Sequence, residues 1–147
     1  METFPIDVYL KIKVKSKGFE SRKAYLAGAQ TAISLVHVLV HAGVRYFFRD
    51  HWSSFWIHSQ RESPANLIER MQKQFPDGAP WLSVDLIAQQ DQKFQWPYEY
   101  NRGAMDTAEE LFAVYRYLDD HFSFEEAIEA FEDYLTDLLT KLKRLEM

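Results

Sequence analysis

A periodic row of apolar residues near the C-terminus constrains this chain more than any other feature. Between Phe124 and Leu145 the gaps between successive apolar residues alternate between four and three positions. This is the a/d spacing of a heptad repeat, held for about three heptads, and it predicts one long helix with a stripe that must be buried. The stripe is buried either against the rest of the chain or against a helix of another molecule. The stripe, called the seam below, consists of Phe124, Ile128, Phe131, Leu135, Leu138, Leu142 and Leu145.

The same predicted helix is strongly acidic outside the seam. No lysine or arginine occurs between Arg116 and Lys141, a stretch that holds eight acidic residues. Residues 104–147 carry 12 acidic and 4 basic side chains, whereas residues 1–103 carry 10 acidic and 13 basic ones. Two explanations are open: a solvated helix face, or a surface that selects a basic partner. The six acids of the helix, called the acidic row, are Glu125, Glu126, Glu129, Glu132, Asp133 and Asp137.

The composition indicates one ordinary globular domain spanning residues 1–147. The absence of cysteine excludes disulfides and thiolate metal sites. Residues 24–44 are rich in apolar side chains, but polar ones such as Gln30, His37 and His41 interrupt them, which argues against a membrane span. With no signal-peptide core before Lys15, we expect a cytoplasmic protein that binds no membrane. The net charge of -5 without a basic stripe makes nucleic acid an unexpected partner.

Several short segments have the pattern of strands. Residues 8–14 alternate between apolar and polar side chains, with lysines on the polar side. Further strands are predicted from aromatic and β-branched content at 44–48, 54–58, 81–88 and 93–100, the last as an edge strand because of Pro97. The sequence therefore predicts an α+β fold in which residues 1–103 form a small, mainly antiparallel sheet with packed helices.

Helices are predicted at 20–42, 64–74, 107–120 and 124–146. Ser63 is a candidate N-cap before Pro64, and two capping boxes are predicted, Thr107 with Glu110 and Ser123 with Glu126. Because only a few residues join the last two helices, residues 104–147 are expected to form an antiparallel helical hairpin. The first helix is apolar except for a narrow polar stripe, so it should lie against a sheet or inside a bundle.

Two histidines on the first long helix are candidate metal ligands. His37 and His41 stand four positions apart on one face, a spacing that lets two imidazoles share a zinc ion. No glutamate lies between them as in a metalloprotease helix, and a site needs at least one more ligand. Two histidines at the edge of a packed helix explain the pattern, so we expect no metal and no cofactor.

Pro76-Asp77 followed by Asp91-Gln92-Lys93 resembles the PD-(D/E)xK pattern of a superfamily of metal-dependent nucleases. The resemblance covers about 17 residues and implies that Asp77 and Asp91 hold Mg²⁺ while Lys93 positions the attacking water, with Glu69 as an extra acid. In that superfamily both elements lie in paired strands. Here Asp77 falls in a loop rich in proline and glycine, and Asp91 falls at a predicted turn.

Two arginine–histidine pairs resemble the Arg-x(4–6)-His signature of the HEPN ribonucleases. Arg45 with His51 and Arg116 with His121 have this spacing. The resemblance implies a helical scaffold in which the two residues form their site across a dimer. A surface arginine and a loop histidine account for the second pair without catalysis.

We expect a non-enzymatic protein-interaction module, acidic and aromatic-rich, that acts as a homodimer or as an accessory or regulatory subunit. Antitoxin, immunity protein and adaptor are compatible types. Docking is expected through the C-terminal helix by burial of the seam, with the acidic row selecting the partner. The alternatives are the Mg²⁺-dependent nuclease and the HEPN-like ribonuclease.

Overall fold

The chain is helical throughout the part that its computed structural model describes, which is residues 7–41, 52–74 and 92–145. Of these residues 88% are helical, and no strand occurs among them. The predicted α+β class and its small antiparallel sheet are therefore wrong. The helices are α1 (Val8–Ser16), α2 (Arg22–His41), α3 (Trp52–Ser59), α4 (Pro64–Gln74), α5 (Pro97–His121) and α6 (Phe124–Leu145), with one short helical turn at 92–95.

The predicted strand at 8–14 is helix α1. Of its four alternating apolar residues, Val8 and Ile12 are buried, whereas Leu10 and Val14 point outwards. The Asp7 carboxylate accepts the backbone N–H of Leu10 at 3.0 Å and caps the helix. Burial of Val8 and Ile12 favours a helix over a strand here, because a helix places residues i and i+4 on one face.

The predicted strands at 54–58 and 93–100 are also wrong, since these residues form α3, the helical turn and the start of α5. In α3 the buried side chains are Trp52, Phe55, Trp56 and Ser59, a spacing of one helical face rather than of a strand. Pro97 stands in the first turn of α5, where a missing N–H costs nothing. The predicted strands at 44–48 and 81–88 lie outside the described residues.

Helix α5 begins ten residues before the predicted start at residue 107. Thr107 is fully buried in its middle, so the predicted capping box with Glu110 is wrong. Glu110 instead forms an ion pair with Lys11 at 2.9 Å. The predicted turn at 101–103 is helical as well.

Other helix predictions are confirmed. Helices α2, α4 and α6 match the predicted ranges within two residues. Ser63 accepts the backbone N–H of Asn66 at 3.2 Å, and Ser123 and Glu126 form the capping box that precedes α6. Tyr115 lies seven residues before the two-residue connection and Phe131 eight residues after it, and their ring centroids are 5.2 Å apart, as expected of a hairpin.

Helix α2 forms the centre of the fold. Every residue from Ala24 to Val40 is buried, and α2 packs chiefly on α5 and also on α6 and α1. It therefore lies inside a helical bundle. By length and composition α2 is apolar enough to cross a membrane, but 94% of its most apolar window is covered by the rest of this chain.

Two glycines bring α2 and α5 into backbone contact. A Cβ added to Gly28 would lie 1.9 Å from the carbonyl oxygen of Tyr100, and one added to Gly103 would lie 1.9 Å from that of Tyr25. The contact is thus reciprocal. A hydrogen bond from the Tyr100 hydroxyl to Thr31 at 3.0 Å ties the same two helices together.

We predict that Gly28→Ala and Gly103→Ala each lower the free energy of unfolding by about 2 kcal/mol or more, because backbone atoms cannot yield as a side-chain end can. This loss exceeds the roughly 1 kcal/mol by which alanine favours a helix over glycine. Urea denaturation measures it. Gly18→Ala is the control: its Cβ would meet only the Lys15 carbonyl at 3.4 Å, so stability should stay within about 1 kcal/mol. Equal stability of all three variants would contradict the close crossing.

Candidate functional site

The seam faces the interior of its own chain. Phe131, Leu135, Leu138 and Leu142 are at most 3% exposed, and Ala127 joins them. Ile128 and Leu145 are half-buried, and Phe124 alone is substantially exposed, at 44%. Because α6 packs on α2, α5 and α1 of the same chain, most of the seam is already covered. Any docking surface on α6 must therefore lie on its outer face.

The outer face of α6 carries the acidic row except for Glu132, which lies at the edge towards α2. Glu132 pairs with His41 at 3.0 Å and Asp137 with Lys141 at 3.0 Å. In contrast, no ion pair within the described ranges involves Glu125, Glu129 or Asp133, all of which are exposed. These three carboxylates give α6 an uncompensated negative face.

Two threonines on the same face have hydroxyls that are hydrogen-bonded to the backbone of their own helix. Thr136 donates to the carbonyl of Glu132 at 3.0 Å, and Thr140 donates to the carbonyl of Thr136 at 2.9 Å. Both residues are exposed. With the hydroxyls satisfied by the helix itself, the methyl groups provide a small apolar area beside the acids.

Helix α1 presents a face of the opposite charge. Leu10 and Val14 are 53% and 61% exposed, an unusual degree of exposure for two large apolar residues on one helix face. Four lysines surround them on the helix surface. Of these four lysines, only Lys11 forms an ion pair within the described residues. This lysine face consists of Leu10, Val14, Lys11, Lys13, Lys15 and Lys17.

Helices α1 and α6, which carry the lysine face and the acidic row, pack beside one another. The backbone N–H of Val8 donates to the Tyr134 hydroxyl at 3.3 Å, and the Lys141 ammonium lies 5.8 Å from the Tyr9 ring centroid. Helix α1 therefore packs along one edge of α6. Burial raises the pKa of Tyr134, so this hydroxyl stays neutral and able to accept the bond. The lysine face and the acidic row thus lie on two neighbouring helices.

His37 and His41 lie together at the end of α2, as the spacing predicts. His37 is 3% exposed, whereas His41 is half-buried and contacts Glu132 on α6. Burial, helped by the charge of His41, lowers the pKa of His37 to about 4, while Asp133 opposes the shift. No group of three possible metal ligands occurs within the described residues. His37 is therefore a packed, neutral part of the α2–α6 contact, and His41 joins α2 to α6 through Glu132.

We predict that His37 makes the fold sensitive to mild acid. Its pKa is lower in the folded than in the unfolded chain, so between pH 6.5 and 4 the unfolded chain binds the extra proton. The stability is complete above pH 6.5 and falls as the pH drops, by about 2 kcal/mol between pH 7 and pH 5.

Urea denaturation at the two pH values measures this loss. His37→Gln should remove most of the difference between pH 7 and pH 5, whereas His58→Gln, a change at an exposed histidine, should keep it. An undiminished pH dependence in His37→Gln would show that other groups cause the acid sensitivity.

The residues of the nuclease pattern are only partly described. Asp77 and Asp91 lie outside the described residues. Lys93 donates to the backbone carbonyl of Gln60 just after α3, and burial lowers its pKa. Glu69 is exposed on α4, where it pairs with Lys73 at 3.2 Å. The observed contacts of Lys93 and Glu69 are structural.

Of the two arginine–histidine pairs, Arg45 and His51 lie outside the described residues. Arg116 and His121 are both exposed near the end of α5. Five positions on a helix turn the chain by about 140° beyond a full turn, so the two side chains leave α5 on different sides. His121 contacts the Tyr117 carbonyl through Nδ1 at 2.8 Å. This pair does not converge within one chain.

Sequence reasoning found the acidic row and the exposed lysines of residues 8–15, but it missed the apolar centre of the lysine face. A strand over residues 8–14 places Leu10 and Val14 on the same side as Val8 and Ile12, whereas the helix exposes them. The available signal was Asp7, which is a good N-cap residue immediately before the segment.

Comparisons with protein families, with curated proteins and with solved structures found no match for this chain.

Proposed function

We propose that this chain is a non-enzymatic protein-interaction module that pairs with a second copy of itself. The lysine face of each copy contacts the acidic row of the other. The observation that carries the proposal is that two oppositely charged faces belong to helices α1 and α6, which pack against each other. The seam contributes indirectly, because its burial within the chain fixes the outward direction of the acids.

A two-fold axis suits this arrangement. In an isologous dimer the same surface serves both partners, so a patch that carries complementary halves can satisfy itself. The positive strip of one copy then lies over the negative strip of the other, and the reverse contact forms at the same time. A surface of one charge only would repel its own copy.

Each face also offers an apolar centre. Leu10 and Val14 lie among the lysines, and the methyl groups of Thr136 and Thr140 lie among the acids. Bringing these centres together removes apolar surface from water. Exposed ion pairs contribute only about 0–1 kcal/mol each, so the charges act mainly on partner choice and association rate. We therefore expect a reversible, salt-sensitive dimer, as suits a regulatory subunit or adaptor.

We predict that sedimentation equilibrium shows a dimer at low salt that dissociates as salt rises to about 1 M, where the Debye length falls to about 3 Å. Lys13→Glu/Lys17→Glu and Glu129→Lys/Asp133→Lys should each be monomeric, because each opposes like charges in both contacts. Mixed in equal amounts, the two variants should form a heterodimer, since both contacts are again complementary.

The matched control is Arg116→Glu/Lys73→Glu, which changes the net charge as much as the α1 variant does but on α5 and α4. It should remain dimeric. Circular dichroism checks that every variant stays helical. A wild-type monomer at low salt, or variants that dimerise alone and gain nothing on mixing, would contradict the proposal.

A further inference from the structure

A groove between α3 and α5 is open to solvent, and none of the described residues that line it belongs to the lysine face or to the acidic row. Its volume is about 420 Å³, within the range of pockets that hold small ligands. The wall is mainly apolar, and Trp56, Ile57 and Met105 contribute to it. Ile57 is 56% exposed, so its side chain is available to a ligand in the groove.

The groove follows the axis of α3. Ser53, Ile57 and Arg61 all line it, and they stand at four-residue intervals, which places them along one side of a helix. The backbone N–H of Arg61 donates to the His58 carbonyl at 3.2 Å, so the chain keeps a helical path as far as Arg61. Ser53 and Arg61 therefore lie about 12 Å apart along the axis, at roughly 1.5 Å per residue. A groove of this length between two packed helices suits a linear ligand better than a compact one.

Polar groups in the middle of the groove are already paired within the protein. Trp56 donates its indole N–H to the side-chain oxygen of Asn101 at 2.9 Å, and the Asn101 amide donates to the Pro97 carbonyl at 2.8 Å. An apolar segment of a ligand can pass over these groups without breaking either hydrogen bond, and it thereby avoids the main cost of covering polar atoms. The middle of the groove therefore suits an alkyl chain.

One end of the groove carries a positive charge. Arg61 lines this end, is exposed, and forms no ion pair within the described ranges. The acidic residue next to it, Glu62, is engaged by Arg70 at 2.7 Å and by Asn66 at 2.9 Å. None of the described lining residues is acidic. Because a guanidinium matches a carboxylate in bidentate geometry, this end complements an anionic head group.

We infer that this groove binds a linear amphiphilic carboxylate, of the class of medium-chain fatty acids. Arg61 contacts the carboxylate, and the alkyl chain lies along Ile57 and Met105 towards Ser53. The apolar wall supplies affinity by removing the chain from water, whereas the guanidinium sets the direction in which the ligand lies. Binding of this ligand requires neither the lysine face nor the acidic row, so it is independent of the proposed dimer.

NMR titration of the full chain with butyrate, octanoate, decanoate and octanol tests the site. Octanoate should bind with a Kd of about 1 mM or tighter and shift the methyl signals of Ile57 and Met105. Octanol should bind about tenfold more weakly, because it lacks the charge that Arg61 contacts. Butyrate should not bind measurably. Decanoate should bind tighter than octanoate, by about two- to fourfold for each methylene that the groove covers.

Two variants separate the charged end from the apolar wall. Arg61→Gln should reduce the affinity for octanoate to that for octanol and leave the affinity for octanol unchanged. Ile57→Gln should weaken both ligands about fivefold or more, because it removes exposed apolar wall. The matched controls are Arg116→Gln and Phe124→Gln, which make the same kinds of change at exposed residues outside the groove and should bind octanoate as the wild type does.

Circular dichroism checks that the variants stay helical, as expected of changes at exposed side chains. Absence of octanoate binding, equal affinity for octanoate and octanol, or full affinity in a folded Arg61→Gln variant would each overturn the inference. A change in the sedimentation of ligand-free Ile57→Gln would overturn it as well, because it would show that a second copy of the chain covers the groove.

Discussion

The backbone contact between α2 and α5 is the constraint on which the rest of the structure depends. Gly28 and Gly103 each leave room for a carbonyl oxygen of the opposite helix, at a distance where any Cβ would collide. Alanines on both helices, including Ala32 and Ala104, are fully buried as well, and α2 makes its most extensive contact with α5. Helices α1 and α6 then pack against this pair, and their outer faces become the surface of the protein.

The heptad pattern of α6 identifies a buried stripe but not the molecule that buries it. Here α5, α2 and α1 cover the stripe, so a pattern typical of a coiled coil serves an intramolecular bundle. The interaction surface that we propose therefore lies on the opposite face of α6 rather than on the seam, and it relies on charge more than on apolar area. Phe124, at the helix start, is the one seam residue with a large exposed fraction.

Sequence reasoning succeeds where local signals and packing agree. The helix ends at Ser63 and Ser123 follow from side-chain caps, which depend only on neighbouring residues. It fails where a residue serves a distant contact: Gly103 has the local signature of a turn, yet it is helical because Tyr25 lies against it. The apolar centre of the lysine face could not be identified from the alternating pattern, since only the packing of α1 shows that Leu10 and Val14 point away from Val8 and Ile12. Domain extent and cytoplasmic location stay predictions.

The acidic row has a consequence for the isolated protomer. Glu125, Glu129, Asp133 and Asp137 follow one another at four-residue intervals, and each like-charged pair at this spacing destabilises a helix by about 0.2–0.5 kcal/mol. Only Asp137 has a cation of its own helix beside it, Lys141. Burial of the seam holds α6 together against this repulsion. A basic surface placed over the row would relieve it, so the same charges that weaken the single helix favour its association with a lysine face.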